Sequence, residues 1–254
     1  MKEKNQQADV LLGNNVLAHV PDVNNFVKGM KILLKPNGII TMEFPHILRL
    51  INQNQFDTIY HEHFSYFSFF IIQKIFFSQG LTIFDVEEIP THGGSLRIFA
   101  KHSENKLFEI TENVENLIKK EKQMGLDNYS VYSNFSQKVK NVKNGLNQFL
   151  EKAELEGKST VCYGTPAKGN TLLNFCGITN EQIKYTVDRS PHKQGLFLPG
   201  SHLPIKSPKA ILETKPDYII ILAWNLKDEI MEQMKDVRVW GGKFVVPIPE
   251  LKIY

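Results

Sequence analysis

Residues 159–171 read STVCYGTPAKGNT, and this stretch decides how the second half of the chain folds. The run from Ser159 to Tyr163 has the length and the β-branched residues of a buried strand. Gly164 follows at once, and Ala167 begins a helix that we predict to extend to Phe175. A strand that turns directly into a helix is the repeating unit of a parallel sheet.

The same alternation continues towards the end of the chain. It predicts strands over 183–187, 218–223 and 243–246 and helices over 210–214 and 228–234. We therefore predict a Rossmann-like parallel-sheet domain over residues 157–254, and we expect this range to fold on its own.

The first half also combines strands with helices. An apolar strand is predicted over Ala8–Leu12, and Pro21 and Asp22 open a helix whose apolar residues recur every three or four positions. The remaining predicted elements are a helix-to-strand turn over 35–38, strands over 39–44, 81–88 and 95–100, and a helix over 68–79.

The segment 103–156 differs from both halves because it is rich in Lys, Glu and Asn. Its apolar residues recur at spacings of four and three, which indicates an amphipathic helix: Phe135, Val139, Val142, Leu146 and Phe149. We interpret the segment as a helical bridge. The predicted organisation is thus a first domain over 1–102, a bridge over 103–156 and a second domain over 157–254.

Composition excludes several classes of protein. A formal charge of +3 on 254 residues is too small to indicate nucleic acid or an anionic membrane as a partner. Cys162 and Cys176 lie in no metal-binding or redox motif, which is typical of reduced core residues in a cytoplasmic protein. The longest apolar run, Tyr218–Trp224, is too short to span a membrane, and no signal peptide is evident at the start.

Residues 60–67 read YHEHFSYF and crowd titratable side chains among aromatic ones. A histidine base needs a pKa near the working pH, which a nearby carboxylate and partial burial can tune. The segment therefore predicts an acid–base site at Tyr60, Glu62 and His63. Two alternatives stay open: a metal site with a third ligand from His46 or His92, and a loop without chemistry.

Two glycine-containing segments are candidates for ligand contacts. Residues 91–97 read THGGSLR, where the glycine pair lets the backbone approach a ligand and Arg97 can meet an anion. Residues 164–171 read GTPAKGNT, where helix N–H groups and Lys168 favour phosphate. The second segment is neither a P-loop nor a dinucleotide fingerprint. In both cases an ordinary tight turn is the alternative.

Four segments together resemble one protein family. They are residues 14–22 (NNVLAHVPD), 60–67, 91–97 and 164–170, and they occur in the family's order along nearly the whole chain. The chain resembles the S-adenosylmethionine-dependent C-methyltransferases that act on C3 of nucleotide-linked 4-keto-deoxy sugars. The resemblance implies part of a class I methyltransferase (Rossmann-like) domain over 1–102, then the bridge, then a second Rossmann-like domain.

The resemblance also implies roles for individual residues. His63 is expected to be the base that removes the C3 proton, with Tyr60 and Glu62 as its neighbours. The expected contacts to the nucleotide sugar are His92, Gly93, Gly94, Ser95, Arg97, Lys168 and Asn170. The expected rim of the cofactor site is Asn14, Asn15 and His19, with Glu43 as a further candidate.

The chain also departs from the family. Family members carry a zinc-binding domain with cysteine ligands, a glycine-rich cofactor loop and an acidic residue for the cofactor ribose, and none has a counterpart here. The resemblance therefore implies that most of the S-adenosylmethionine site lies outside this chain, in a truncated or split enzyme. Zinc is expected in full-length relatives, without ligands in this chain.

Three expectations follow from that departure. Ala8–Leu12 should be an exposed sheet edge, completed by a separately encoded N-terminal half. The isolated chain should be inactive and should show no measurable cofactor affinity. The alternatives are a non-catalytic nucleotide-sugar binding protein, or a dehydrogenase that uses the second domain.

Overall fold

The computed structural model describes residues 6–254, which form two compact units. The first unit contains the described residues up to Asn52 together with His61–Asn134. The second unit contains Gln53–Tyr60 and Phe135–Tyr254. A short piece of the first half of the sequence thus belongs to the second unit.

The first unit contains one mixed sheet with the strand order β1-β2-β4-β3. β1 and β2 are parallel, whereas β4 runs antiparallel to both β2 and β3. The strands are β1 (Ala8–Asn14), β2 (Leu34–Pro45), β3 (Leu81–Ile89) and β4 (Ser95–His102), and the helices are α1 (Val23–Leu33), α2 (Ile47–Asn52), α3 (Phe69–Ser78) and α4 (Glu112–Gln123).

Capping residues fix where two of these helices begin. The Asp22 carboxylate accepts a hydrogen bond from the backbone N–H of Asn25, and the Ser68 hydroxyl accepts one from that of Ile71. Both helices therefore begin within one residue of the predicted positions. β2 begins at Leu34, before the predicted strand, but its register with β1 shifts between the pairs Ala8–Leu34 and Val10–Ile39, so the predicted turn residues 35–38 form an irregularity within the strand.

The expected edge strand is confirmed among the described residues. β1 pairs only with β2, so its other side has no strand neighbour in residues 6–254. Val10 and Leu12 alternate along β1 and are 54% and 70% exposed. β1 thus presents an open hydrogen-bonding edge together with exposed apolar side chains.

The second unit contains a six-stranded sheet with the order β10-β9-β8-β5-β6-β7, parallel except for β10. Its strands are β5 (Thr160–Tyr163), β6 (Thr186–Val187), β7 (Ile205–Lys206), β8 (Tyr218–Ile221), β9 (Lys243–Val246) and β10 (Lys252–Ile253). Its helices are α5 (Tyr129–Leu155, which begins in the first unit), α6 (Ala167–Cys176), α7 (Lys209–Thr214) and α8 (Lys227–Gln233).

The core of the second unit extends beyond the predicted domain 157–254. Val142, Leu146 and Leu150 of α5 are buried in it, and so is Phe56. The segment 103–156 is divided, since α4 lies in the first unit and most of α5 in the second. The strand predicted over 183–187 is shorter than expected, with only Thr186 and Val187 paired.

No helix among residues 6–254 is long and apolar enough to cross a membrane.

Candidate functional site

The sheet of the first unit gathers its polar residues at one edge. β1 and β2 end there side by side, with Asn14 opposite Glu43. β4 begins at the same edge, with Ser95 opposite Pro45. Because ligands of open α/β sheets bind outside the carboxyl ends of parallel strands, this edge is the expected place for a site. We call it the strand-end edge.

Glu43 is the centre of a buried polar network at the strand-end edge. It is only 5% exposed, and its Oε1 accepts a hydrogen bond from the Thr91 hydroxyl at 2.8 Å. Its Oε2 accepts one from the Arg97 guanidinium at 3.1 Å. Arg97 also lies 3.5 Å from Glu87. The anions that Arg97 meets here belong to the chain itself, and its role towards substrate stays a prediction.

A hydrogen bond joins the predicted cofactor rim to the predicted substrate segment. The Asn15 side-chain nitrogen lies 2.8 Å from Nε2 of His92. Both residues have left-handed backbones, with φ values of 55° and 54°. The side-chain oxygen of Asn15 is buried and has no hydrogen-bond partner among the described residues. Asn15 therefore offers a free acceptor at the strand-end edge, whereas Asn14 is exposed.

Gly93, Gly94 and Ser95 build the turn between β3 and β4. Gly94 has φ 118°, and a Cβ atom at this position would lie 2.6 Å from Cγ of Arg49. The backbone carbonyl of Gly94 accepts a hydrogen bond from the N–H of His46. The Ser95 hydroxyl donates to the carbonyl of Thr91 at 3.1 Å. The glycine is thus required by close packing, and the serine hydroxyl already has a partner within the turn.

His63 packs against His19. The two imidazole rings are edge to face, with their centroids 4.9 Å apart. The centroid of the Tyr66 ring lies 5.8 Å from that of His63. The loop is held by its backbone, because the N–H groups of Phe64 and Ser65 both donate to the carbonyl of Ala18. The first unit thus brings the predicted base beside a predicted cofactor-rim residue.

The other members of the YHEH segment are placed differently. Glu62 is exposed and has no hydrogen bond or ion pair among the described residues, and the exposed His61 does not contact His63 in a ring pair. Tyr60 belongs to the second unit. The expected contact between Glu62 and His63 is therefore not present in the structure, and the roles of Tyr60 and Glu62 rest on the resemblance alone.

One buried polar pair was not predicted from the sequence. Nε2 of His46 lies 2.7 Å from the Glu121 carboxylate, and the two side chains are 1% and 3% exposed. Glu121 also accepts hydrogen bonds from the backbone N–H groups of Phe69 and Phe70, the first residues of α3. A signal was present, because Glu121 follows Val114 and Leu117 on the apolar face of α4.

Lys168 and Asn170 lie at the start of α6 in the second unit. The Lys168 ammonium is 3.9 Å from the centre of the Trp224 ring and donates a hydrogen bond to the Asn225 side chain. Burial lowers the pKa of Lys168 to about 8, and the charge of Asp57 opposes this shift. The side-chain oxygen of Asn170 is buried without a hydrogen-bond partner in the described part of the chain.

A further carboxylate accepts hydrogen bonds from the turn that precedes α6. Asp188 follows β6, and its carboxylate accepts hydrogen bonds from both the N–H and the hydroxyl of Thr165. Lys193 lies 3.4 Å from the same oxygen. The Asp188 carboxylate at the end of β6 is thus bound by the chain itself. Because dinucleotide-binding dehydrogenases use an acid at this place to bind the ribose of the cofactor, these contacts disfavour the dehydrogenase alternative.

The metal alternative has no support in the geometry of residues 6–254. Among them, no group of three or more His, Cys, Asp or Glu side chains is arranged to hold a metal ion. Both cysteines are buried, and burial raises the pKa of the Cys162 thiol well above its usual range. His46, named as a possible third ligand, is bound to Glu121 instead.

Two family models match this chain. A family model described as the C-methyltransferase C-terminal domain matches residues 90–249, and a methyltransferase domain model matches residues 1–86. The C-methyltransferase NovU of Streptomyces niveus is 36% identical over 246 residues. That match covers 97% of this chain but only 58% of NovU, so the chain spans little more than half of this relative.

Solved structures show only weak likeness. A complex with the Haloferax volcanii Trm112 methyltransferase activator matches 38% of this chain and 55% of that chain, at 13% identity and a TM-score of 0.33. The M1.HpyAVI–SAM complex matches 41% of this chain and 48% of that chain, at 12% identity and a TM-score of 0.27. Neither likeness bears on function.

The family models agree with the predicted mixed α/β, Rossmann-like fold and with the recognition made from the four segments. Together they match nearly the whole chain in the expected order, with the methyltransferase region first. This chain belongs to the C-methyltransferase family that is defined by the C-terminal domain matched over residues 90–249.

Proposed function

We propose that this chain takes part in S-adenosylmethionine-dependent methyl transfer to C3 of a nucleotide-linked 4-keto-deoxy sugar, with His63 as the base. The observation that carries the proposal is the packing of the His63 ring against His19 at 4.9 Å, next to the strand-end edge. Membership of the C-methyltransferase family supports the type of reaction. The sugar and its nucleotide are inferred from the resemblance in sequence.

The chemistry requires one well-placed base. A 4-keto group acidifies the hydrogen on C3, because the electron pair left on that carbon delocalises into the carbonyl as an enolate. The His63 imidazole takes this proton, and the nucleophilic carbon is then ready for alkylation. His19, edge-on to His63, orients the ring and contributes a second imidazole that can exchange protons with solvent.

The residues at the end of β1 fit part of the cofactor site. The buried, unpartnered side-chain oxygen of Asn15 is an acceptor for an N–H or O–H group, which S-adenosylmethionine carries on its amino acid and its ribose. Asn14, Asn15 and His19 would hold the cofactor at this rim. When bound, the cofactor supplies an electrophilic methyl group on a sulfonium centre.

The remaining candidates are assigned to the sugar nucleotide. By the resemblance, Tyr60 hydrogen-bonds the developing enolate oxygen, and Glu62 is a neighbour of the base. His92 and the Gly93–Gly94 backbone contact the sugar, while Arg97 adds positive charge at the strand-end edge. Lys168 and Asn170 are proposed to contact the diphosphate, with the free side-chain oxygen of Asn170 accepting from a sugar hydroxyl.

Hydrogen exchange at C3 tests the base without requiring methyl transfer. The chain is incubated in D2O with a thymidine-diphosphate 4-keto-6-deoxy sugar, and deuterium incorporation at C3 is followed by mass spectrometry and NMR. We expect exchange faster than in buffer, and a loss on the order of 10²–10⁴-fold in His63→Ala, the range general-base catalysis contributes. His61→Ala is the matched control, because that histidine is exposed in the same loop.

Unchanged exchange in His63→Ala would refute the assignment of the base. Binding of the sugar nucleotide without exchange in the wild-type chain favours the second candidate, a non-catalytic nucleotide-sugar binding protein. NAD binding by calorimetry would revive the dehydrogenase alternative, which the hydrogen bonds of Thr165 to Asp188 disfavour.

We further propose that a polypeptide segment other than residues 6–254 completes the cofactor site by pairing with β1. The support is the open edge of β1, with Val10 54% and Leu12 70% exposed. The chain alone should then show no S-adenosylmethionine binding in a calorimetric titration. Addition of the part of NovU that this chain does not match should create that binding, and tight binding by the chain alone would refute the proposal.

A further inference from the structure

The segment Gln53–Tyr60 lies between two parts of the first unit in sequence, yet it packs within the second. It contains a 3-10 turn over Phe56–Thr58 and ends at Tyr60, immediately before the histidine-rich stretch. Tyr60 is therefore carried by the second unit, although its sequence neighbours His61–His63 are not.

The segment is anchored in the second unit at three residues. The Asn54 side chain donates hydrogen bonds to the carbonyls of Lys138 and Pro249 at 3.1 and 3.3 Å. Phe56 is 5% exposed and packs edge-to-face on Phe175 of α6, with ring centroids 5.2 Å apart. Asp57 is fully buried, and its carboxylate accepts a 2.7 Å hydrogen bond from the indole N–H of Trp224.

Asp57 binds where a Rossmann-like sheet usually binds a ligand. β6 lies on one side of β5 and β8 on the other, so the strand order reverses at this pair. Ligands normally occupy the crevice outside the carboxyl ends of such a pair. Trp224 follows β8, and Lys168 lies at the start of α6 directly after β5. The chain's own Asp57 thus binds Trp224 at this crevice and lies within reach of the Lys168 charge.

The electrostatics of this cluster favour a specific contact between Asp57 and Trp224. Burial raises the pKa of Asp57 to about 7, while the Trp224 hydrogen bond and the Lys168 charge act in the opposite direction. Lys168 sits over the face of the same indole, 3.9 Å from its centre. A cation over an indole face draws electron density from the ring and strengthens its N–H as a donor to the carboxylate.

We propose that Asp57 is a positioning residue, which through Trp224 locks the segment Gln53–Tyr60 into the crevice of the second unit and so fixes Tyr60 for the reaction. The role of Tyr60 rests on the function proposed above, whereas the lock itself does not. Within that crevice, Asp57 occupies the position beside Trp224.

Hydrogen–deuterium exchange of the backbone tests the lock independently of activity. In Asp57→Ala and Trp224→Phe we expect the peptide spanning residues 53–60 to lose protection by roughly tenfold or more, while β5 and β8 stay protected. Trp240→Phe is the matched control, because it removes another indole hydrogen bond of the second unit, to the carbonyl of Pro216. Asp57→Asn keeps an acceptor for Trp224 and should restore most of the protection.

The C3 exchange assay tests the link to Tyr60. Asp57→Ala should slow turnover about 10²-fold with little change in KM, and Asp57→Asn should recover to within about threefold of wild type. If Asp57 acts through Tyr60, adding Asp57→Ala to a Tyr60→Phe variant should cause almost no further loss.

Three results would overturn the proposal. Unchanged protection of residues 53–60 in Asp57→Ala would refute the lock. Losses from Asp57→Ala and Tyr60→Phe that multiply would show that Asp57 does not act through Tyr60. If the wild-type chain catalyses no exchange at all, the proposed function and the role of Tyr60 fail together, and backbone protection alone then decides whether the segment is locked.

Discussion

Glu121 on α4 binds His46 through a 2.7 Å contact that is almost fully buried. The same carboxylate accepts hydrogen bonds from the backbone N–H groups of Phe69 and Phe70. His46 follows β2, and Phe69 begins the helix after the His63 loop, so one acid ties together the two chain segments that flank the loop within the first unit. The carboxylate also suits the positive end of the α3 dipole.

Glu121→Ala should therefore destabilise the first unit. It leaves a buried imidazole and two helix N–H groups without their partner, and loss of one member of a buried pair typically costs about 3–5 kcal/mol. Backbone hydrogen exchange of α3 measures the effect. Glu115→Ala is the control on the same helix, since its ion pair with Lys119 is exposed, and it should leave the exchange of α3 unchanged. Equal effects of both variants would contradict the prediction.

The stability of the second unit should fall as the pH rises from about 4 to about 7. Burial raises the pKa of Asp57 from 3.8 to about 7, so between these values the folded unit holds a proton that the unfolded chain has lost. Each unit of pKa shift corresponds to about 1.4 kcal/mol, which makes the dependence measurable. Urea denaturation at pH 5 and pH 7.5 follows it.

Asp57→Asn should remove this dependence because the amide does not titrate. Above pH 7, the titration of Lys168 changes the stability of the second unit in the opposite direction. Its pKa is lowered to about 8, so the unit should regain stability as the pH rises further towards 10.5, the ordinary value for lysine. A wild-type denaturation midpoint that is independent of pH between 5 and 7.5 would show that Asp57 is ionised throughout.

Gly94→Ala should destabilise the turn between β3 and β4. The backbone at Gly94 has φ 118°, and an added Cβ would lie 2.6 Å from Cγ of Arg49. A strained backbone position of this kind costs on the order of 1–3 kcal/mol. Gly145→Ala in α5 is the opposite case: nothing lies within 4 Å of its added Cβ. We expect it to stabilise by about 0.5–1 kcal/mol. Thermal denaturation of both variants checks the signs.

Charges on β1 should suppress pairing at its open edge. In Val10→Lys/Leu12→Lys, two exposed apolar side chains are replaced by cations, which discourage strand addition. Sedimentation velocity should show less self-association than in the wild type. Leu155→Lys is the control, because Leu155 is 89% exposed and belongs to α5 rather than to a strand. A similar reduction in the control would point to general solubility.

Periodicity predicted much of the fold because it reports local burial. The helix after Asp22 and the strand at Ala8 are found close to their predicted positions. Pro36 and Asn37-Gly38 predicted a turn over 35–38, and β2 extends through this stretch. The pairing with β1 nevertheless passes from Ala8–Leu34 directly to Val10–Ile39, so the local preference for a turn is seen as a break in the register.

The site was predictable only where its residues lie in short motifs. His63 and His92 were predicted as site residues in this way, and the structure adds the contacts of His63 with His19 and of His92 with Asn15. Glu121 and Asp57 were missed because their partners are 75 and 167 residues away in sequence. From a single acid in an amphipathic or aromatic stretch, such a distant partner cannot be predicted.

The return of residues 53–60 to the second unit has a practical consequence for cloning. A protein begun at residue 157 would lack Phe56, Asp57 and the buried face of α5, leaving Trp224 and Phe175 uncovered. Such a fragment should aggregate when expressed by itself. A protein begun at Phe135, with residues 53–60 supplied in trans or fused by a linker, would contain the whole second unit and offers a route to a well-behaved product for crystallisation.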